Sequence, residues 1–248
     1  MAKQSGLGDK LLIDGYDVSG DIGSLSSISS TAAPFEVTAI DKSAIERIPG
    51  RVDGMLGFTA FFNDAANREH AVFKAKGGGA NRVCCWLRGG TIGKGGYGIV
   101  AKQQNYDPSR PADGSLTIDV QAIGAAYGGE FADQLTGGLR TDTGAANGAS
   151  LDNLVATTRG LSAYLQVTAF AGTDATVRIQ ESSDDAVGDP FANVTGGGFT
   201  QVTVAPTAER IVTSVTLSVE RYLRAVTVTT GGFTSLTFSV LVFRSPVA

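Results

Sequence analysis

Leu161-Ser162-Ala163-Tyr164-Leu165-Gln166-Val167-Thr168 alternates apolar and polar residues without a break, and Leu236, Phe238, Val240 and Val242, with Thr237 and Ser239 between them, repeat the pattern near the C-terminus. Successive side chains leave opposite faces of a strand, so a period of two predicts a sheet with one apolar and one wet face. Short segments of this kind run from about residue 160 onward, near 160–170, 175–181, 199–204, 208–218, 221–229 and 235–244, most with turn residues between them. That rhythm predicts a β-sandwich.

Upstream, apolar segments at Lys10–Tyr16, Phe35–Ile40, Met55–Phe62, Val83–Leu87, Gly98–Ala101 and Leu116–Ile123 also read as strands. The one helical stretch lies between Phe62 and Gly77, with Asp64 as its cap, Val72 and Phe73 as its apolar edge, and Gly77-Gly78-Gly79 as its stop. Between Leu135 and Asn153 the residues turn small and polar, the composition of a linker. The expected fold is mainly β: an N-terminal β-barrel or sandwich domain with one packed helix at 1–138, a linker at 139–150, and a C-terminal β-sandwich domain at 151–248.

Composition narrows the function. The chain has 248 residues, 33 of them glycine, with 18% charged side chains and a formal charge of −4. Low charge and many apolar residues exclude a disordered chain. Scattered Lys and Arg without a basic stripe disfavour tight nucleic-acid binding. No apolar run approaches the ~20 residues that span a bilayer, so no membrane anchoring is expected. Met1–Lys10 lacks a signal-peptide core, which points to synthesis in a reducing cytoplasm.

Candidate chemistry is thin. Cys84 and Cys85 are adjacent in a strand, point to opposite faces, and read as free, half-buried thiols. Gly93, Gly95 and Gly98 match G-x-G-x-x-G, but Tyr97, Ile99 and Val100 continue as a strand where a nucleotide turn must open a helix, so a hairpin tip is the better reading. A phosphate-binding P-loop fails because Arg88 stands at its first Gly and Gly95 follows Lys94 in place of Ser or Thr. His70 reads as a solvated helix residue. The Ser182–Asp185 run with Asp189 lacks the spacing of a calcium loop and reads as a strand connection. No catalytic residue, cofactor or metal site is expected, and the chain is not expected to be an enzyme.

The opening Gly6–Ser19, the charged loop Asp41–Arg51, the strand Gly57–Phe62 with its helix, and the late segment Asp113–Ile118 follow one another in a distinctive order. That order of parts resembles the major tail protein, or tail tube protein, of bacteriophages with long non-contractile tails. Tyr164–Val167, Val177–Asp184, Glu209-Arg210, Arg221–Arg224 and Gly231–Thr234 resemble the β-sandwich domains appended to such proteins. The resemblance implies a structural virion protein, made in the host bacterial cytoplasm, that forms hexameric rings stacked into a tail tube for DNA delivery. Its implied partners are further copies of itself and other tail proteins such as the tape measure and tail terminator. Genomic DNA would pass through the lumen without specific binding, and the C-terminal domain would decorate the outside. The alternative is a virion-associated carbohydrate-binding or other tail accessory protein.

Two sets of residues follow. The loop from Asp41 to Asp53 sets apolar Ile45 and Ile48 inside a charged rim that includes Asp41, Arg47 and Arg51, a mixture suited to contact between rings. Pro49-Gly50 is expected to end this excursion. Glu36, Thr38, Asp119 and Gln121 lie on polar strand faces, opposite the apolar sets Phe35, Val37, Ala39 and Leu116, Ile118, Val120, and are expected to line the lumen.

Overall fold

The computed structural model describes residues 5–75 and 79–245. In chain order the strands are β1 (Lys10–Ile13), β2 (Tyr16–Asp17), β3 (Ile22–Glu36), β4 (Arg47–Phe61), β5 (Arg82–Leu87), β6 (Gly95–Gln103), β7 (Asp107–Ser109), β8 (Thr117–Gly124) and β9 (Glu130–Gln134). They continue as β10 (Arg140–Asp142), β11 (Ala146–Asn147), β12 (Leu151–Asp152), β13 (Ser162–Gly172), β14 (Thr176–Ser182), β15 (Ala192–Gly198), β16 (Thr207–Val212), β17 (Tyr222–Val228) and β18 (Phe233–Phe243). The fold is mainly β, as the alternation predicts.

The strands stack as four layers. The first is β3-β4-β8, edged by β7, and the second is β2-β1-β5-β6-β9. The end of β6 pairs with β8 and folds one layer onto the other over a core that includes Phe58, Phe73, Tyr97, Ile99, Ile118 and Val120. The third layer is β16-β13-β18 with β10, and the fourth is β11-β17-β14-β15 with β12. These two enclose Leu165, Val167, Val177, Ile179, Phe238 and Val240. Leu241 and Val242 of β18 pair with Gln134 and Asp133 of β9, so the backbone ladder runs unbroken from the second layer to the third.

That junction corrects the wet face expected for β13. Ser162, Tyr164 and Gln166 are buried, because the third layer lies on the second over Leu12, Cys85, Leu87, Val100 and Ala132. Each polar atom finds a partner across the junction, as burial demands. Ser162 Oγ and the Tyr164 hydroxyl donate to Glu130 Oε2 at 2.7 and 2.5 Å, and Arg210 Nη2 donates to Glu130 Oε1 at 2.9 Å. Gln166 donates to the Val83 carbonyl at 2.8 Å and accepts from the Gly15 amide at 2.6 Å. Burial beside the Glu130 carboxylate pushes the Tyr164 hydroxyl pKa up, so it remains a donor.

Segment 139–150, expected as a linker, carries β10 and β11. Arg140–Asp142 pair with Phe238–Leu236, and Ala146 and Asn147 pair with Thr227 and Val226. Arg140 holds the buried Asp142 through two guanidinium bonds at 2.8 and 2.7 Å, and its Nη1 reaches the Ala225 carbonyl. Small residues here thread between layers. Composition alone does not separate a tight passage from a free tether.

The helix is shorter than its apolar edge suggests. It spans Glu69–Phe73, with Arg68 at the cap position and no side-chain cap. Asn63 organises the preceding turn: its side-chain oxygen accepts from the Ala65 amide and its carbonyl from His70 N. Asn67 takes a left-handed φ of 62°, which keeps Asp64 outside the helix. Of the expected glycine stop, Gly77 and Gly78 lie outside the described residues. In the third and fourth layers, the strand expected at 199–204 is a single bridge, Ala175 to Val202, and the one expected at 208–218 ends at Val212.

Candidate assembly interface

β3 and β4 pair from Ile22↔Ala60 to Glu36↔Arg47, and β4 gains β8 as its second neighbour only over Met55–Phe61. Beyond Gly54 the two strands leave the sheet as a two-stranded arm. Val37 N bonds the Glu46 carbonyl at 2.9 Å, Glu46 N bonds Thr38 Oγ1 at 3.0 Å, and Lys42 N closes the turn on Ala39 O. Lys42 and Glu46 form an ion pair at 3.5 Å on this tip.

The loop expected over Asp41–Asp53 is therefore divided. Asp41–Glu46 belong to the tip, and Arg47–Asp53 are strand. Pro49-Gly50 do not end the excursion; they lie within β4, beside a bulge between the Ala32↔Val52 and Pro34↔Pro49 pairs. Gly50 is there because the Phe35 ring crosses its backbone: a Cβ at 50 would stand 2.3 Å from Phe35 Cε2 and 2.6 Å from the Ala33 carbonyl. A proline in β4 costs no ladder bond if its nitrogen faces the open side of the ribbon.

The tip is apolar and bare. Ile40 is fully exposed, Phe35, Ile45 and Ile48 are each more than half exposed, and Val37 is nearly so. Phe35 and Ile48 are direct cross-strand partners and share a face; Glu36 and Arg47 form the next pair, on the other face. Phe35 and Val37, expected against a core, have no layer over them. Asp41, Ile45, Arg47, Ile48 and Arg51 all lie exposed on the arm, so the structure brings the expected contact residues together on one element.

The four residues expected to line a lumen are not brought together. Glu36 and Thr38 sit on the arm. Asp119 and Gln121 sit on the outer face of β8, with Ile118, Val120 and Ala122 turned into the core as expected. Leu116 precedes the strand and remains exposed. Across from Asp119 stands Thr59, whose hydroxyl donates to it at 3.3 Å, and across from Gln121 stands Gly57. Ser24, Ser27 and Ser29 of β3 pair with Thr59, Gly57 and Met55 and extend this polar face. The serine-rich run Ile22–Glu36 was the available sequence signal, and its lack of strict alternation hides it as a strand.

The outer edge of this fifteen-residue strand, β3, pairs with no strand among the described residues, which leaves outward-facing backbone groups along it open for pairing. The other marked sequence features are internal. Cys84 and Cys85 are free and buried, one against each neighbouring layer, and burial pushes the Cys85 thiol up to about 12. Gly93 takes the positive φ of a turn, while Gly98 sits in mid-strand under the Tyr164 ring. His70 is half-buried rather than solvated: it contacts the Tyr106 hydroxyl through Nδ1 and packs at a tilt against the Phe62 ring. Asp184 spends its oxygens on the amides of Val187, Gly188 and Asp189, closing its own loop. Among the described residues, no group of three or more His, Cys, Asp or Glu is placed to hold a metal ion, and no helix is long and apolar enough to cross a membrane.

No protein-family model and no curated protein matches the chain. Among solved structures, it is similar to a chain of the virion of a native gene transfer agent particle, at 14% identity and a TM-score of 0.41, covering 52% of this chain and 98% of that one. A chain from the tail of an empty gene transfer agent particle, computed with helical refinement and sixfold symmetry, gives 15% identity and a TM-score of 0.40 over 51% and 97%. The SPP1 Dit protein, described as a paradigm of the hub adsorption apparatus in phages infecting Gram-positive hosts, gives 10% identity and a TM-score of 0.33 over 95% and 99%. The likeness is distant in all three.

Proposed function

We propose that this chain is a structural protein of a phage tail that forms hexameric rings, stacked into the tube that conducts DNA. The observation that carries the reading is the arm. A two-stranded ribbon is marginal in water by itself, and this one carries five exposed large apolar residues at and beside its tip. A neighbouring subunit that covers them supplies the missing layer. The open edge of β3 supplies the second requirement, since pairing it with a neighbour and closing the ring removes an edge that otherwise invites uncontrolled association. The polar outer face of the first layer suits a lumen wall: hydroxyls, Gly57 and the carboxylate of Asp119 offer a polyanion nothing to hold it.

Negative-stain microscopy of the purified protein, with sedimentation velocity across a concentration series, tests the reading. Rings and stacked tubes are the expected result. A protein that stays monomeric at high concentration refutes it, and rings that never stack would favour a single-ring role.

A further inference from the structure

The arm is gripped at its root. Ser29 of β3 and Met55 of β4 are cross-strand partners on the last rung where β8 still flanks β4. The fully buried Tyr97 of β6 donates its hydroxyl to the Ser29 carbonyl at 2.6 Å, with the Met55 carbonyl 3.3 Å away, so one side chain spans both strands. The turn at 125–129, between β8 and β9, presses on the same root. A Cβ on Gly128 would stand 2.6 Å from Val52 Cγ1, and one on Gly54 would collide with the Gly129 backbone. Glycine permits this close approach because it has no side chain. The same turn also bears on the third layer. Arg210 Cζ of β16 lies 4.1 Å from the centroid of the Tyr127 ring, and Arg210 bonds Glu130, the residue that follows the turn. Phe131, one residue on, packs its ring against Tyr97 at 5.2 Å.

We propose that the turn at 125–129 is a mechanical link, through which the direction of the arm and the seating of Arg210 on the third layer are coupled. Beyond Gly54 the arm has no layer to lean on, so its direction is fixed at the root. Gly54 and Gly129 meet there backbone to backbone, and close-packed contacts of this kind pass on a displacement rather than absorb it. A root that shifts moves the turn, and with it Glu130, whose carboxylate collects Ser162, Tyr164 and Arg210. Linkage makes the effect reciprocal: what frees the turn from Arg210 loosens the arm, and what frees the root loosens β16. The coupling lies within one chain and stands whether or not the assembly reading holds.

Hydrogen–deuterium exchange of the full chain, at low protein concentration, tests the link. Tyr127→Ala removes an exposed ring stacked on Arg210 and leaves the Tyr97 hydroxyl in place at the arm's root. Amides at 31–36 and 47–53 should then exchange faster by about fivefold or more. Tyr127→Phe keeps a ring on the guanidinium and should retain the parent rate. Tyr97→Phe removes only the hydroxyl, and should speed exchange in the arm and, by reciprocity, in β16. The two changes together, Tyr127→Ala with Tyr97→Phe, should accelerate the arm by less than the product of their separate effects, since both break one link. Arg221→Ala, which removes an exposed ion pair with Asp152 on the fourth layer, should leave both regions unchanged. Acceleration confined to the substituted side, separate effects that multiply, or faster exchange spread evenly over the whole chain would each overturn the coupling.

Discussion

Glu69 gives the sharpest test of the packing around the helix. Its side chain is fully buried against the first two layers, and neither oxygen has a hydrogen-bond partner. The loss of hydration lifts its pKa from 4.5 to about 7; the nearby Asn63 amide opposes this without closing a bond, and the charge of Asp21 adds to it. Because the folded value lies above the unfolded one, the group's contribution to stability is fully present below pH 4.5. It is lost as the pH rises toward 7. At about 1.4 kcal/mol per pH unit, that interval corresponds to a loss of about 3 kcal/mol by pH 8. Glu69→Gln keeps the shape and removes the titration. Urea unfolding followed by Trp86 fluorescence, at pH 4.5 and pH 8 and at low protein concentration, compares the two proteins. The stability of the variant relative to the parent should rise by about 3 kcal/mol between the two pH values. A difference that does not change with pH would show that the carboxyl is hydrated or paired in solution, and would refute the argument.

Four further outcomes follow from the contacts described. Glu130→Ala leaves the Arg210 guanidinium buried without its carboxylate and should cost about 3–5 kcal/mol in urea unfolding; a loss below 1 kcal/mol would mean that the junction between the second and third layers is loose. Gly98→Ala places a Cβ 2.6 Å from the Tyr164 ring and should cost about 1–3 kcal/mol, so an unchanged melting temperature would contradict the close approach. Ile45→Asp combined with Ile48→Asp should keep the folded β spectrum and abolish stacking, because charge buried without a partner is unfavourable; normal tubes would make the arm a bystander. Asp119→Lys should leave tubes intact and slow DNA ejection, and an unchanged rate in intact tails would remove Asp119 from the lumen wall.

Much of the fold is legible in local pattern. The period of two in Leu161–Thr168 and Leu236–Val242 is a property of neighbouring residues, and it gives β13 and β18 directly. Adjacency of Cys84 and Cys85 in a strand is enough to put them on opposite faces. Asp41, Ile45, Arg47, Ile48 and Arg51 stand out in the sequence by their mixture of apolar and charged side chains, and the structure places them, exposed, on one arm.

What covers a face is not a local property, and only the tertiary structure decided it. Ser162, Tyr164 and Gln166 look the same in sequence whether they meet water or meet Glu130, Val83 and Gly15 from distant parts of the chain. Phe35 and Val37 carry the pattern of core residues, yet no layer reaches them, because β3 and β4 outrun the strand β8 beside them. The small residues at 139–150 have the composition of a tether, and pairing with β18 and β17 makes them part of the sheets. In each case alternation and composition report which side chains share a face. Whether that face is wet, dry or waiting for a partner depends on contacts between residues far apart in the chain.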